Sequence, residues 1–191
     1  MVNYKFLATS LFIFITLFTG FSQSTNDWHL KLGTNYSHGF ITENTQTMQL
    51  HGNLGFEKNN FELRLDGFYF MGQQGDRTRF SINHQLFLGG FHYFFKENFR
   101  PYIGAQFGLS YTQSTEYGII NAEDVLTFEP AFNPLVSAGL GFDYKLNNRL
   151  DLNLECRQIM GKHISNSYPT YLDEFRVSIG VGFYLINKST N

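Results

Sequence analysis

Near the C-terminus, Phe175 Arg176 Val177 Ser178 Ile179 Gly180 Val181 Gly182 Phe183 Tyr184 places an apolar residue at every odd position and a polar, small or amphipathic one at every even position. Period two is the signature of a strand with two unlike faces. Such a strand carries unpaired backbone groups along both edges and needs a neighbour on each. Seven further runs of the same kind stand upstream, enough for the sheet to close on itself and abolish its edges.

In chain order the runs begin with Trp28 to Ser37, where Trp28, Leu30, Leu32, Thr34 and Tyr36 oppose His29, Lys31, Gly33 and Asn35. Thr47 to Phe56 sets Met48, Leu50, Leu54 and Phe56 against Gln49, His51 and Asn53. Phe61 to Met71 sets Phe61, Leu63, Leu65 and Tyr69 against Glu62, Arg64 and Asp66. The fourth run, Arg79 to Phe95, puts Phe80, Ile82, Leu86 and Leu88 on one face together with His84, a polar residue in an apolar row. Gly89 and Gly90 offer a place for a bulge, and a bulge that turns His84 inward is preferred to an interfacial neutral histidine.

The fifth run, Tyr102 to Tyr111, has Ile103, Ala105, Phe107 and Leu109 facing Tyr102, Gly104, Gln106, Gly108 and Ser110. Leu135 to Lys145 carries Val136, Ala138, Leu140, Phe142 and Tyr144 in its apolar row, and the seventh run sets Leu150, Leu152 and Leu154 against Asp151, Asn153, Glu155 and Arg157. Pro101 and Pro134 are expected at strand beginnings, where the missing amide donor does least harm. The connections Glu57 to Asn60, Lys96 to Arg100 and Leu146 to Asn148 are short, while those after the first, third, fifth and seventh runs are longer. Thr112 to Asn133 is the longest. An even strand number with this alternation suits a bacterial barrel whose N-terminus is periplasmic, with its long loops outside the cell.

Alternation alone does not say whether the apolar rows enclose a soluble, lipocalin-like core or face lipid. The charges decide. The apolar rows hold no Asp, Glu, Lys or Arg, which lipid demands, since one Arg or Lys at mid-membrane costs roughly 2 to 4 kcal/mol. Lys31, Arg64, Arg157 and Arg176 stand in the opposite rows with Glu62, Asp66, Asp143, Asp151 and Glu155, two signs that can neutralise one another in a narrow lumen. Aromatic residues gather towards strand ends, as interfacial girdles do. The expected interior is filled by side chains, with a narrow pore for small solutes as the alternative.

The 191 residues fit one domain, and a negative mean hydropathy is wrong for a bundle of membrane helices. Lys5, the apolar stretch Phe6 to Phe18 and the small residues Gly20 and Ser22 read as a secretory signal peptide, residues 1–22, cleaved after Ser22, with the barrel domain in 23–191. Its apolar core is too short to span a bilayer as a helix. Cys156, the only cysteine, falls in an apolar row, where a small hydrophobe is the expected role. A formal net charge of -2 gives no stripe for nucleic acid.

Phe91 His92 Tyr93 Phe94 Phe95, Phe99 Arg100 Pro101 Tyr102 Ile103 Gly104 Ala105 and Ala138 Gly139 Leu140 Gly141 Phe142 Asp143 Tyr144 resemble phrases of the small outer-membrane β-barrels of the Bacteroidota, the porin-family or OmpX/OmpA-like barrels. The resemblance covers about Trp28 to Leu185. It implies an outer-membrane location in a Gram-negative cell, contact with outer-membrane lipid and lipopolysaccharide, and insertion by the barrel-assembly machinery. The fold expected is thus all-β: an eight-stranded antiparallel up-and-down transmembrane β-barrel behind a signal peptide, monomeric, with a structural or surface-interaction role.

One stretch carries a candidate chemistry. His163 Ile164 Ser165 Asn166 is similar to the His-x-Ser-Asn motif of PagL-type lipid A deacylases. That resemblance implies Ser165 as nucleophile, His163 as base, Asn166 at the oxyanion and Glu174 or Asp173 as the orienting acid of a serine esterase. The alternative, and the preferred reading, is a loop without catalysis. No pair of histidines has metal-ligand spacing, so neither metal nor cofactor is expected. Glu116, Glu123, Asp124 and Glu129 in the longest loop read as a solvated surface, with a cation- or partner-binding patch as the alternative.

Overall fold

The computed structural model describes residues 28–41, 45–74, 78–95, 98–117, 125–127, 129–161 and 172–187; the leader, His163, Ser165 and Asn166 lie outside them. The strands are β1 (Trp28–Ile41), β2 (Thr45–Lys58), β3 (Phe61–Gln74), β4 (Thr78–Tyr93), β5 (Phe99–Tyr117), β6 (Val125–Thr127), β7 (Ala131–Lys145), β8 (Leu150–Gly161) and β9 (Glu174–Asn187). Every pairing is antiparallel. Consecutive strands pair, except that β5 pairs with β7 past the short β6, and β9 returns to β1. Eight long strands therefore form a closed barrel, with β6 attached to the end of β5, and no helix occurs among the described residues.

Local chemistry sets the tight turns. Asn59 takes the left-handed conformation, φ 58°, between β2 and β3, where a short polar side chain is among the few that tolerate it. Asn147 Oδ1 accepts from the amides of Arg149 and Leu150 at 2.8 and 3.0 Å, an Asx turn that reverses the chain between β7 and β8.

The polarity of the two faces is inverted relative to a soluble barrel. Outward stand Phe107, Phe132, Ile179 and Leu140, each at least 60% exposed, while Arg64, Arg100, Arg157 and Arg176 are buried inside at 2% or less. The interior also holds two apolar groups. Phe91, Tyr93 and Tyr102 pack near the turn end, and Phe68, Phe80, Phe87, Leu135, Ile159 and Leu172 pack towards the other.

Several expectations are corrected. The bulge in β4 lies between Phe80 and Ile82, at Ser81, and not at Gly89 and Gly90. The extra residue turns Phe80 inward and leaves Ile82 and His84 outside. His84 instead stacks on Tyr69, ring centroids 4.8 Å apart, and accepts a bond from the Phe70 amide at 3.3 Å. The strands also run further than the alternating stretches, so the connections after β1 and β3 shrink to residues 42–44 and 75–77. β5 begins before Pro101 and β7 before Pro134, so neither proline opens its strand. Much of the longest loop is sheet: β5 continues to Tyr117, pairing Thr115 with Thr127 and Tyr117 with Val125.

Candidate functional site: the polar lumen

Inward positions on every long strand converge on the barrel axis, and charge arranges itself there in three tiers. At the end with the tight turns, Lys31 Nζ lies 2.6 Å from Asp143 Oδ2 and 2.9 Å from Asp151 Oδ2. The Tyr93 hydroxyl is 2.5 Å from Glu62 Oε2 and 2.9 Å from Asp143 Oδ2, so its one proton serves one carboxylate at a time. Arg100 donates to Glu57 Oε1 at 2.5 Å and to the Tyr184 hydroxyl at 2.7 Å, with its guanidinium over the Tyr93 ring.

The middle tier is a ring of two arginines and two carboxylates. Arg157 donates to Asp66 Oδ2 at 2.6 Å, Glu155 Oε1 at 2.8 Å and Gln106 Oε1 at 2.5 Å. Arg64 donates to the other oxygen of Glu155 and lies 3.3 Å from Asp66 Oδ1. His51 joins at 3.0 Å from Asp66 Oδ1 and 3.0 Å from Asn35 Nδ2. Because the amide nitrogen donates to Nδ1, the ring proton sits on Nε2 and points at Asp66. Asn153 ties this tier to the first, donating to the Tyr102 hydroxyl at 2.8 Å and to Asp143 Oδ1 at 2.7 Å.

In the third tier Arg176 donates through Nη2 to Glu174 Oε2 at 2.5 Å and to Gln85 Oε1 at 2.8 Å, its face on the Phe68 ring. Glu174 Oε1 accepts from Thr47 Oγ1 at 2.5 Å and Gln49 Nε2 at 3.3 Å. Desolvating this many charges is sustainable only with each met by an opposite charge and by hydrogen bonds.

Glycine makes the close approaches possible. At Gly55 an added Cβ would overlap Glu62 Oε1, and at Gly182 it would overlap Asp151 Oδ1, both buried oxygens that make no conventional hydrogen bond. Each occupies space that only a missing side chain leaves open.

Lys31, Glu62, Arg64, Asp66, Asp143, Asp151, Glu155, Arg157 and Arg176 all lie in this interior. Arg176 pairs with Glu174, its neighbour two residues back on β9, and not with Asp66 or Glu155 of the middle tier. Glu174, the acid of the esterase reading, has both oxygens engaged in the lumen, and Asp173 Oδ1 accepts from the Gly161 amide at 3.2 Å. Glu57 and Arg100 read in the sequence as connection residues, yet they lie in β2 and β5, and Tyr93 follows the glycine pair at which a bulge is expected to change the phase of its strand. No group of three or more His, Cys, Asp or Glu residues is arranged to hold a metal among the described residues.

Fold and face polarity define the class: a small, closed, eight-stranded antiparallel barrel with an apolar exterior. Solved structures that share this architecture include Neisserial surface protein A, at 13% identity and a TM-score of 0.57 over 82% of this chain and 96% of that one. The outer membrane protein OprG of Pseudomonas aeruginosa matches at 13% identity and 0.55, over 84% and 96%. The N-terminal β-barrel domain of OprF from the same organism matches at 14% and 0.53, over 81% and 97%. At such identities the likeness is one of fold. No protein family and no curated protein matches the sequence.

Proposed function

We propose that the chain is a monomeric outer-membrane barrel of a Gram-negative bacterium of the Bacteroidota, exported by a signal peptide in residues 1–22. Its N-terminus is periplasmic, its longer connections face outside, and its role is structural or in surface interaction, without catalysis. The observation that carries this is the inversion of polarity: large apolar side chains cover the outside while arginines and carboxylates are paired within. In water that arrangement would expose the greasy surface and bury the charge, whereas in lipid both choices are favourable. The outer-membrane origin of OprG agrees with this location. Lipopolysaccharide and phospholipid meet the outer wall, and the barrel-assembly machinery inserts it.

Paired side chains fill the lumen instead of an open channel. Eight strands leave an interior about wide enough for side chains, and two of the tiers send ion pairs between opposed strands. Fractionation with heat-modifiable migration tests the location: the folded chain should recover with outer membranes and shift on boiling. Planar-bilayer recording tests the closure, with no sustained single-channel steps expected. Recovery in the soluble periplasm would overturn the first reading, and steady conductance the second.

A further inference from the structure

Strand pairing leaves one seam of the wall incomplete. β1 and β2 pair as far as Ile41 and Thr45, and β2 and β3 as far as Gln46 and Gln74. β3 and β4 stop pairing at Phe68 and Gln85, although β3 continues to Gln74 and β4 starts at Thr78. Past that rung β3 holds to β2 and β4 holds to β5, and no backbone pairing joins β3 to β4 among the described residues. The two strands are arms of one hairpin, connected beyond the gap by residues 75–77. The result is a slot in the half of the wall away from the tight turns.

Each arm carries a bulge beside the slot. Met48 pairs with Gly72 and Gln49 with Phe70, so Met71 is an extra residue on β3, as Ser81 is on β4. Bulges bend their strands and break the even spacing that a ladder between the arms requires. Side chains bridge where the ladder ends. The Phe70 amide donates to His84 Nδ1 at 3.3 Å, and the Phe80 amide to Gln73 Oε1 at 2.6 Å. Tyr69 stacks on His84 outside, and Phe70 meets Phe80 edge-on inside, centroids 6.4 Å apart. A backbone donor in lipid finds no water to accept from it, so these two amides take side-chain acceptors in place of the missing rungs.

We propose that this slot is a lateral gate in the barrel wall, with His84 and Gln73 as its latches. Parting the arms breaks two side-chain hydrogen bonds and two ring contacts, whereas parting strands at a fully paired seam breaks a ladder. Local opening draws on such thinly bonded regions. The parted edges are apolar on both sides. Phe68, Phe80 and Phe87 lie behind the slot, and Tyr69 and Met71, each 61% exposed, lie in front of it. Lipid tails are as apolar as these side chains, so opening into the bilayer gives up little of their burial. The cross-braces set the lower limit of the gate: Arg64 and Asp66 tie β3 to β8 below the last rung, and Gln85, at that rung, accepts from Arg176. The inference rests on strand pairing and not on the identity of the membrane.

Pulsed electron resonance distances in lipid bilayers read the gate. In a Cys156→Ser background, nitroxides at Leu50→Cys and Tyr111→Cys flank the slot, since Leu50 pairs with Tyr69 and Tyr111 with His84. Nitroxides at Phe56→Cys and Ala105→Cys span the same strands, β2 to β5, lower down, where Leu63 pairs with Gly90. The lower pair should give one narrow distance. The upper pair should show a second population, longer by about 5 Å, one strand spacing. Gln73→Ala with His84→Phe, which keeps the stacking on Tyr69, should enlarge that population about fivefold or more, as the loss of two hydrogen bonds does. The lower pair should not change. One narrow distance at the upper pair in the latch variant overturns the proposal, as does equal broadening of both pairs. Should the latch variant lack the heat-modifiable form, Gln73→Ala alone decides by the same criterion.

Discussion

Arg157 and Asp66 belong to β8 and β3, strands on opposite sides of the closed barrel, and their side chains meet across the lumen with Nη2 2.6 Å from Oδ2. The contact joins walls that share no backbone hydrogen bonds, and Arg64 to Glu155 repeats the crossing between the same two strands. The interior is therefore cross-braced as well as filled.

Removing both ends of one brace should cost less than the sum of removing each alone. Arg157→Ala leaves Asp66 and Glu155 with one arginine between them in a buried site, and unfolding in urea should show a loss of about 3 to 5 kcal/mol. The double variant Arg157→Met with Asp66→Leu should lose less than the sum of its singles, by about 0.5 to 3 kcal/mol of coupling. Strict additivity would mean the pair does not act as a unit.

Outward and inward positions of the last strand should respond differently. Ile179 is 61% exposed at mid-strand, and Ile179→Arg places a charge in hydrocarbon at a cost of roughly 2 to 4 kcal/mol. Insertion, read as the heat-modifiable form, should be lost or sharply reduced. Arg176→Ala should insert and then unfold at lower denaturant, because it strands Glu174.

Glycine seats give a third test. Gly182→Ala and Gly55→Ala force Asp151 and Glu62 off the backbone and should each destabilise by about 1 to 3 kcal/mol, as overpacking does. Gly52→Ala is the control. An added Cβ there meets nothing within 4 Å, and its stability should stay within about 0.5 kcal/mol of wild type.

Lipid A mass spectra separate the barrel from an esterase. Both oxygens of Glu174 are taken by Thr47, Gln49 and Arg176. Cells expressing wild type, Ser165→Ala or His163→Ala should yield identical lipid A. Loss of one acyl chain in wild type alone would contradict the structural role.

How much of this is written in the sequence depends on what each level of structure needs. Phase is legible wherever both faces are constrained: Glu62, Arg64 and Asp66 alternate with leucines because no charge belongs among lipid-facing side chains. Phase fails in β4, where one extra residue at Ser81 exchanges the faces and no sequence pattern marks it. Strand ends are illegible at Glu57 and Arg100, since charges leading into Asn59 and Asn60, or standing before Pro101, read as turn until the neighbouring strand is seen to continue. The pairing of charges is illegible for another reason. That Arg157 meets Asp66 while Arg176 meets Glu174 and Gln85 is set by the stagger of strands on closure, which period two does not encode.

Which face meets lipid is read most directly on β7. In a Cys156→Ser background, single cysteines at Ser137, Ala138, Gly139 and Leu140 carry a nitroxide, and its relaxation is measured with oxygen and with a water-soluble nickel chelate in lipid bilayers. Ala138 and Leu140 face outward and Ser137 and Gly139 inward. The prediction is high oxygen and low nickel accessibility at 138 and 140, with both low at 137 and 139. Oxygen accessibility highest at 137 and 139, or no alternation at all, would contradict it.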